Sequence, residues 1–321
     1  MNPIDIIDKM KTTSVLVVGD IMLDNFVYGE VHRMSPEAPV PVLRITHEER
    51  MLGGCGNVVA NLAGLGVKPY VAAIVGDDHN GMIVKDMAKE HGADISGIIV
   101  DEMRPTTIKT RYVSKAQQLL RTDFEQTELL KKPQVDAMRE RVEAHMSQVG
   151  AVILSDYNKG VLHPCFIKAV IQAAKNNKVP VLVDPKGDNY LIYAGADVVT
   201  PNKKELHEAT SGMATNTDDD IKAAATHIIE NAMIESVVAT RSEAGMSVIE
   251  SGKDPVHIST EAREVYDVSG AGDTVIAVIA AAMAAGADLE SAARLANTAG
   301  GIVVGKAGTA AITAEELQAK G

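Results

Sequence analysis

Short apolar runs and segments of helical periodicity alternate along most of this chain. The apolar runs, which predict buried strands, are residues 14–19, 70–75, 151–154, 179–183, 197–199 and 236–239. The helical pattern covers residues 57–65, 81–90, 134–148, 164–176, 203–210, 218–231, 274–285 and 289–304. Strands that alternate with helices in this way predict an α/β fold, in which helices cover both faces of a doubly wound, mostly parallel sheet.

Two segments depart from this alternation. Residues 25–46 contain several prolines and no helical pattern, and residues 106–124 alternate polar and apolar positions. Both predict antiparallel strands, the second a hairpin that turns near residues 114–117. We interpret them as a small β lid, formed by about residues 25–47 and 106–124, on a single domain of residues 1–321. The alternative is a surface hairpin without a role.

Composition narrows the class of protein. Only 3% of the 321 residues are aromatic while 46% are hydrophobic, so the core depends on aliphatic side chains. A net charge of -12 disfavours nucleic acid as a partner, although backbone N–H groups and a few cations can still bind phosphates. Cys55 and Cys165 predict neither a disulfide framework nor a zinc site.

The distribution of apolar residues also bears on membranes and export. The N-terminal run MNPIDIIDKMKTTS lacks the apolar core of a secretory signal. The apolar residues 275–285 are too few to cross a bilayer. We therefore expect a cytoplasmic protein with no membrane partner.

The run DVSGAGDT, residues 267–274, carries the strongest chemical signal. Gly270 and Gly272 around Ala271 allow a tight turn that brings several N–H groups toward one point, and the helix after it adds the positive end of its dipole. Such a loop suits the negative charge that develops in phosphoryl transfer, and Asp273 beside it could accept the proton of an attacking hydroxyl. Taken alone, Asp273 could instead cap the helix.

Two N-terminal runs offer polar groups to a substrate. In GGCGN, Gly53 and Gly54 let a ligand approach the backbone, and Asn57 can donate to and accept from sugar hydroxyls. Asp20 and Asp24 follow the first strand at the edge where open α/β sheets bind ligands, and could accept hydrogen bonds from vicinal hydroxyls. The alternatives are a glycine-rich turn into a helix and a carboxylate that caps a turn.

Two later runs fit a nucleotide and its metal ion. In TPNKKE, Asn202 and Glu205 share one face of a first helical turn and could organise water around Mg²⁺. They fit a capping box as well. The run TRSEAGM, residues 240–246, is a polar loop after a strand that could contact a nucleotide or could simply be a turn.

GGCGN near the N-terminus and DVSGAGDT near the C-terminus, in this order and separation, resemble the ribokinase-like (PfkB) carbohydrate kinases. The similarity extends from about Ser14 to Thr313, and the run RMSPEAPVPV is similar to the subgroup that phosphorylates heptose 7-phosphates. Two positions depart from the family pattern: Ser269 stands where Thr is usual, and Cys55 where many relatives have Lys or Ala.

The resemblance implies ATP and Mg²⁺ as cofactors, and transfer of the γ-phosphoryl group to the anomeric hydroxyl of a sugar phosphate. It implies Asp273 as the base. The implied anion hole and sugar contacts are Gly270, Ala271, Gly272, Asp24, Gly53, Gly54 and Asn57. The implied nucleotide and metal contacts are Asn202, Glu205, Thr240, Ser242, Gly245 and Asn297. Family members commonly pair through their lids, so we expect a homodimer.

A sugar phosphate requires cations, and the predicted lid carries several. The candidates are Arg33, Lys109, Arg111 and Arg121 in or near the lid strands, and Lys186 after the strand VLVD, which could serve the phosphates of either substrate. Each could equally be solvated surface charge.

Rival functions remain. They are another sugar, sugar-phosphate or nucleoside kinase of this fold, and a non-catalytic sensor that keeps the fold. A dinucleotide dehydrogenase is disfavoured because no GxGxxG follows the first strand.

Overall fold

The computed structural model describes residues 2–115, 117–260, 265–306, 308 and 310–320. The helices are α1 (Pro3–Met10), α2 (Cys55–Gly64), α3 (His79–Glu90), α4 (Lys132–His145), α5 (Pro164–Asn177), α6 (Lys203–Ala209), α7 (Asp218–Ala232), α8 (Ala271–Ala284), α9 (Leu289–Val303) and α10 (Ala314–Gln318). The strands are β1 (Ser14–Gly19), β2 (Ile21–Met34), β3 (Pro41–Gly54), β4 (Lys68–Ala72), β5 (Ile74–Gly76), β6 (Ile99–Asp101), β7 (Ile108–Ser114), β8 (Gln117–Phe124), β9 (Ala151–Ser155), β10 (Val181–Asp184), β11 (Val198–Val199), β12 (Ser236–Thr240), β13 (Met246–Glu250) and β14 (Val256–Ile258).

The main sheet has eight strands in the order β14-β13-β12-β11-β10-β9-β1-β4. The strands from β12 to β4 in this order run parallel. At one edge, β13 pairs antiparallel with β12, and β14 pairs antiparallel with β13. Val15 and Val17 of β1 belong to one hydrophobic core, and Leu16 and Val18 to the other, because successive strand residues point to opposite faces. Both faces are buried, which explains why the strands are continuous apolar runs in the sequence.

The helices divide between the two faces of this sheet. Apolar residues of α1, α2, α3, α8, α9 and α10 form one core, and those of α4, α5, α6 and α7 form the other. Helix α8 packs against both α2 and α9, and it is buried from Asp273 to Ala282. A helix that is apolar all round has no solvent face. The buried stretch begins at Asp273, and the two residues before it, Ala271 and Gly272, are more exposed.

A second, smaller sheet has four strands in the order β3-β2-β7-β8. The pairs β2–β3 and β7–β8 are antiparallel, whereas β2 and β7 run parallel. Only Asp20 separates the end of β1 from the start of β2. The small sheet is therefore rooted at the carboxyl edge of the main sheet.

The predicted α/β class, with a mostly parallel sheet and helices on both faces, is confirmed. Two details of the prediction are wrong. Residues 70–75 are not one strand, because β4 ends at Ala72 and Ile74 begins a separate pair with β6. The lid strands are antiparallel only within each hairpin, since β2 and β7 run parallel where the hairpins meet.

Several elements had no counterpart in the prediction. They are α1, β6, β13, β14 and α10. The turn predicted near residues 114–117 includes Ala116, which lies outside the described residues. In the described part of the chain, no helix has both the length and the apolarity that a membrane span requires.

Candidate active site

Polar residues gather where the parallel strands of the main sheet end. Asp20 follows β1, Asp156 follows β9, Asp184 ends β10, Thr200 follows β11 and Thr240 ends β12. Carboxyl ends of parallel strands form one edge, and open α/β sheets bind ligands there.

Two cavities lie along this edge. The first, which we call the acidic cavity, is lined by Asp156, Tyr157, Asp184, Pro185, Lys186, Thr200, Asn202, Glu205, Thr240 and Gly272. The second, the apolar cavity, is lined by Thr240, Ser242, Glu243, Gly245, Met246, Thr260, Val265, Val268, Ala271, Gly272, Val275, Asn297, Gly300, Gly301 and Val304. Thr240 and Gly272 line both, so the cavities adjoin. The apolar cavity of about 380 Å³ has the size of a small-molecule site.

Asp273 lies in the first turn of α8 and is buried. Asn57 Nδ2 donates a hydrogen bond to its Oδ2, and Tyr157 OH donates to its Oδ1, both at 2.8 Å. Burial raises the pKa of Asp273 to about 6, although both hydrogen bonds lower it; the charge of Asp24 also raises it. The carboxylate is therefore mostly ionised at neutral pH and is more basic than an ordinary aspartate.

The turn before Asp273 has the form that the sequence predicts. Gly270 precedes α8 with a φ of 77°, a left-handed backbone conformation that residues other than glycine rarely adopt. A Cβ added to Gly272 would meet no atom within 4 Å, so open space lies beside this residue. First-turn N–H groups of a helix have no partner within the helix. The Ala271 N–H donates to the carbonyl oxygen of Val268 at 3.3 Å, whereas Gly272 lines both cavities. The turn can therefore bind an anion.

Asp24 is a second buried carboxylate, on β2. Arg111 Nη1 of the neighbouring strand β7 donates to its Oδ1 at 2.6 Å, and the Arg111 guanidinium also lies over the Phe26 ring. A Cβ at Gly53 of β3 would collide with the other carboxylate oxygen, Oδ2, so only glycine fits there. The three small-sheet strands thus bring Asp24, Gly53 and Arg111 into one group, and the charge of Asp24 acts on Asp273.

Asp20 has a role different from the predicted one. Its carboxylate accepts the backbone N–H groups of Tyr157 at 3.0 Å, Lys159 at 3.0 Å and Val161 at 3.2 Å. The residue is also almost fully buried. The geometry corrects the expected substrate contact in favour of the capping alternative: Asp20 supports the loop after β9 and is not among the residues that line either cavity.

Asn202 and Glu205 form the capping box that was the alternative reading of TPNKKE. Asn202 Oδ1 accepts the N–H of Glu205 at 3.0 Å, and Glu205 Oε2 accepts the N–H of Asn202 at 3.1 Å. The remaining oxygen, Oε1, accepts from Lys186 Nζ at 3.0 Å. Both capping residues line the acidic cavity, so helix capping and access to a ligand coexist.

Two further acids give the acidic cavity its character. Asp184 is half-buried and makes no side-chain hydrogen bond to the described residues; burial first, then the charges of Asp273 and Glu205, raise its pKa well above the usual value. Burial raises the pKa of Asp156 to about 6, even though Tyr193 OH donates to its Oδ2 at 2.6 Å. Carboxylates that raise one another's pKa values in this way would be stabilised by a bound cation.

The residues assigned to a nucleotide come together. Thr240, Ser242, Gly245 and Asn297 all line the apolar cavity, although they lie on β12, on the loop after it and on α9. Asn297 Nδ2 donates to the backbone carbonyl of Ser259 at 2.8 Å. Asn297 is far from the other three residues in sequence, and the fold brings it to the same cavity.

The candidate cations occupy different environments. Arg33 is exposed near the end of β2, nine residues after Asp24 and therefore roughly 30 Å along the strand. It cannot reach the Asp24 group of its own chain. The Lys109 side chain, by contrast, is only 12% exposed, and its Nζ pairs with Asp123 at 2.9 Å and with Glu125 at 3.5 Å.

Arg121 and Lys186 are also paired. Arg121 Nε donates to Asp123 at 2.9 Å, on the exposed strand β8. Lys186 is bound to Glu205 and lines the acidic cavity, which favours the nucleotide phosphates over the sugar. Among these candidates, Arg111 is the one that contacts Asp24 directly.

Sequence reasoning did not single out Tyr157, Asp156 or Asp184. Tyr157 and Asp156 belong to the run SDYNKG after β9, and Asp184 ends the run VLVD. The available signal was position, since each follows a buried parallel strand at its carboxyl end. That signal does not tell which side chain turns toward Asp273.

Fold and site together define a carbohydrate kinase of the ribokinase type. The sequence pattern of the pfkB family carbohydrate kinases matches residues 12–316, and the chain belongs to this family.

Curated relatives are more specific. The chain is 50% identical to the bifunctional protein HldE of Paramagnetospirillum magneticum over 97% of its own length, and 44% identical to that of Geobacter sulfurreducens over 95%. It spans 64% and 62% of those proteins, which is less than two thirds of their length.

Solved structures agree on the fold. Arabidopsis thaliana ribokinase, determined with ribose and ATP, aligns with a TM-score of 0.75 at 20% identity, over 96% of this chain and 98% of that one. Escherichia coli phosphofructokinase-2 aligns with a TM-score of 0.79 at 19% identity and the same coverage.

Proposed function

We propose that this chain transfers the γ-phosphoryl group of ATP to the anomeric hydroxyl of D-glycero-β-D-manno-heptose 7-phosphate, and so makes the 1,7-bisphosphate for the lipopolysaccharide core precursor. The observation that carries the proposal is the setting of Asp273, a buried carboxylate directly after Gly272, which lines both cavities. The run RMSPEAPVPV and the identity to HldE proteins favour a heptose over other sugars.

In the proposed reaction, Asp273 accepts the proton of the sugar hydroxyl. As the hydroxyl oxygen bonds to the γ-phosphorus, the bond from that phosphorus to the bridging oxygen breaks and ADP leaves. The hydroxyl becomes acidic only while the new bond forms, so a carboxylate with a pKa of about 6 is basic enough to take the proton. The N–H groups of the turn at Gly270, Ala271 and Gly272 stabilise the charge on the moving phosphoryl group.

The nucleotide is proposed to occupy the apolar cavity, with its phosphates directed toward Gly272. The cavity is walled by apolar side chains such as Val275 and Val304, and Asn297 and Thr240 add a few polar groups. This composition suits a flat base and a ribose. The shared lining residue Gly272 then lies where the phosphates pass from the apolar to the acidic cavity.

Magnesium fits the acidic cavity. Asp184 carries a carboxylate without a hydrogen-bond partner among the described residues, and Glu205 and Asn202 lie on the same wall. No group of three or more His, Cys, Asp or Glu in the described ranges forms a closed metal cage. Mg²⁺ needs none, because it is commonly held by one or two carboxylates and its own water. Bound there, it would neutralise charge on the ATP phosphates.

The sugar is proposed to lie against Asp24, Gly53 and Asn57. Asp24 would accept hydrogen bonds from sugar hydroxyls, and the missing side chain of Gly53 allows both the carboxylate and a ring to approach. Arg111 is the cation that we assign to the sugar phosphate, because it already contacts Asp24 and is one-fifth exposed. Lys109 is the weaker candidate, since two carboxylates already occupy its ammonium group.

The small sheet is proposed to act as a lid and to carry a homodimer interface. All eight residues of β8 are exposed, an arrangement that leaves a strand uncovered on both faces. Large apolar side chains are exposed on the same sheet at Met34, Ile45, Leu120 and Phe124. A second copy of the lid would cover them. Sedimentation of the wild type and of Leu120→Asp tests this point: the variant should be a monomer.

The deciding experiment is phosphate transfer from ATP to a panel of sugars and sugar phosphates, with the product linkage read by NMR. We expect turnover with the heptose 7-phosphate and a new phosphate on the anomeric carbon. Preferred turnover of an unphosphorylated sugar, a nucleoside or a fructose phosphate would assign the chain to another kinase of this family. Nucleotide binding without transfer to any acceptor would favour a sensor.

A further inference from the structure

Tyr157 is one of two neutral donors that hold the proposed base. Its hydroxyl donates to Asp273 Oδ1 while Asn57 Nδ2 donates to Oδ2, so each carboxylate oxygen has one partner. The two donors come from different places, α2 and the loop after β9, and they fix the carboxylate from opposite ends. Each oxygen keeps a further lone pair for a substrate hydroxyl.

The loop that carries Tyr157 is built around buried acceptors. Asp20 accepts three of its backbone N–H groups, from Tyr157, Lys159 and Val161. Within the loop, Asp156 Oδ1 accepts the N–H of Asn158 at 2.7 Å. A carboxylate that accepts several backbone N–H groups makes strong, charge-assisted hydrogen bonds. The position of the Tyr157 ring is therefore set by the main chain and not by side-chain packing alone.

The outer side of the same loop is fastened as well. Lys159 Nζ donates to Glu125 Oε1 at 2.7 Å, just beyond the end of β8, and the buried Arg104 guanidinium donates to the carbonyl oxygen of Lys159. The loop is thus held from the side of the small sheet as well as from Asp20. Such a rigid support is what a group that aims another side chain requires.

We propose that Tyr157 is a positioning residue of this kinase: it aims the Asp273 carboxylate at the sugar hydroxyl and stabilises its ionised form. The inference rests on the proposed function of Asp273 as the base. Tyr157 takes no part in bond making; it holds the acceptor that does. Removal of its hydroxyl frees the carboxylate to rotate, which lowers kcat more than it raises KM.

The charged and titratable groups around Asp273 determine how strongly its pKa depends on Tyr157. Asp24 on β2 raises the pKa of Asp273, whereas Tyr157 and Asn57 lower it. Asp184, at the end of β10, and Cys55, on α2, both respond to the charge of Asp273. Because the cations of the site are bound to other carboxylates, the ionised form of Asp273 depends on its two neutral donors. Loss of the Tyr157 donor must therefore raise the pKa of Asp273.

The test is the pH profile of kcat in Tyr157→Phe, measured with the full chain, ATP–Mg²⁺ and the sugar phosphate that the panel identifies. We expect kcat to fall about tenfold. The acid limb of the profile, the range in which kcat falls as the pH is lowered, should move up by about one pH unit. 3-Fluorotyrosine at position 157, a stronger donor that keeps the ring, should move the limb down.

Two tyrosine variants serve as controls. Tyr70→Phe removes a buried hydroxyl that donates to Gln148 at 3.3 Å on β4, away from both cavities, and should leave the profile unchanged. Tyr193→Phe removes the donor to Asp156, the other acid whose pKa is raised to about 6. It tells which of the two acids the acid limb reports.

The outcomes separate the inference from the function beneath it. A limb that moves with Tyr193→Phe but not with Tyr157→Phe would assign the limb to Asp156 and overturn the inference, as would an unchanged profile in Tyr157→Phe. If Asp273→Asn loses activity while Tyr157→Phe is normal, only the inference fails. If Asp273→Asn keeps full turnover, the proposed function fails first.

Discussion

Two buried carboxylates meet in this cleft, and they are held in different ways. Asp273, on the main-sheet side, accepts hydrogen bonds from the neutral side chains of Asn57 and Tyr157. Asp24, on the small sheet, is bound to the charged guanidinium of Arg111 at 2.6 Å. Both residues are only 4% exposed, so burial does not distinguish them.

Because their partners differ, the carboxylates of Asp273 and Asp24 suit different roles. A cation beside Asp273 would favour its ionised form, lower its pKa and weaken it as a base. Neutral donors orient the carboxylate without adding a positive charge, and its pKa of about 6 suits the proton acceptor that we propose. A cation beside Asp24 fixes a hydrogen-bond acceptor and brings positive charge to the place where a substrate phosphate would bind.

The largest expected effect separates the two carboxylates by kinetics. Asp273→Asn should lower kcat by about 10² to 10⁴, the usual contribution of a positioned base, and should leave ATP binding intact. Asp24→Asn should act mainly on the KM of the sugar, because it replaces one of two acceptor oxygens by a donor and removes the charge that would bind hydroxyls in the ground state. Steady-state kinetics and calorimetry with ATP check both. Equal losses of kcat in the two variants would remove the distinction.

The next effect is on stability and has opposite signs at the two sites. The folded protein raises the pKa of Asp273 from 3.8 to about 6, so the folded state gains a proton between these values and the wild type becomes more stable as the pH falls. The free energy of unfolding of Asp273→Asn, taken relative to that of the wild type, should therefore rise by up to about 3 kcal/mol from pH 4 to pH 8. Urea unfolding at both pH values measures the change.

Asp24→Asn provides the contrast in the same experiment. It leaves the Arg111 guanidinium without its negatively charged partner, which destabilises the folded state. At pH 8 the two variants should lie on opposite sides of the wild type. A stability difference for Asp273→Asn that does not change with pH would contradict the raised pKa.

The smallest effect concerns the assignment of the sugar phosphate. Arg111→Ala should raise the KM of the phosphorylated sugar about tenfold, because a charge-assisted hydrogen bond is lost at a partly exposed site. Lys109→Ala is the matched control from the same strand, since Asp123 and Glu125 already hold its ammonium group. Equal KM values in wild type and Arg111→Ala would exclude Arg111 as a phosphate ligand.

The local rhythm of the sequence was enough to predict most of the main sheet. Strand β1 was predicted with its bounds, and helices such as α5 within one residue, because apolar runs and helical periodicity report burial directly. The parallel contact between β2 and β7 could not be predicted in this way. Strand pairing between segments about eighty residues apart depends on tertiary packing, and the pattern of each strand is the same whichever neighbour it has.

Sequence alone indicated the class of this protein and the glycine turn at Gly270 to Gly272 with Asp273 beside it, because a glycine turn and a helix start are local features. The tertiary structure decided what these residues face. Asp20 accepts N–H groups of a loop, Tyr157 donates to Asp273 from 116 positions away, and Arg111 pairs with Asp24. No local rule contains such contacts, because they arise only where separate elements pack into one cleft.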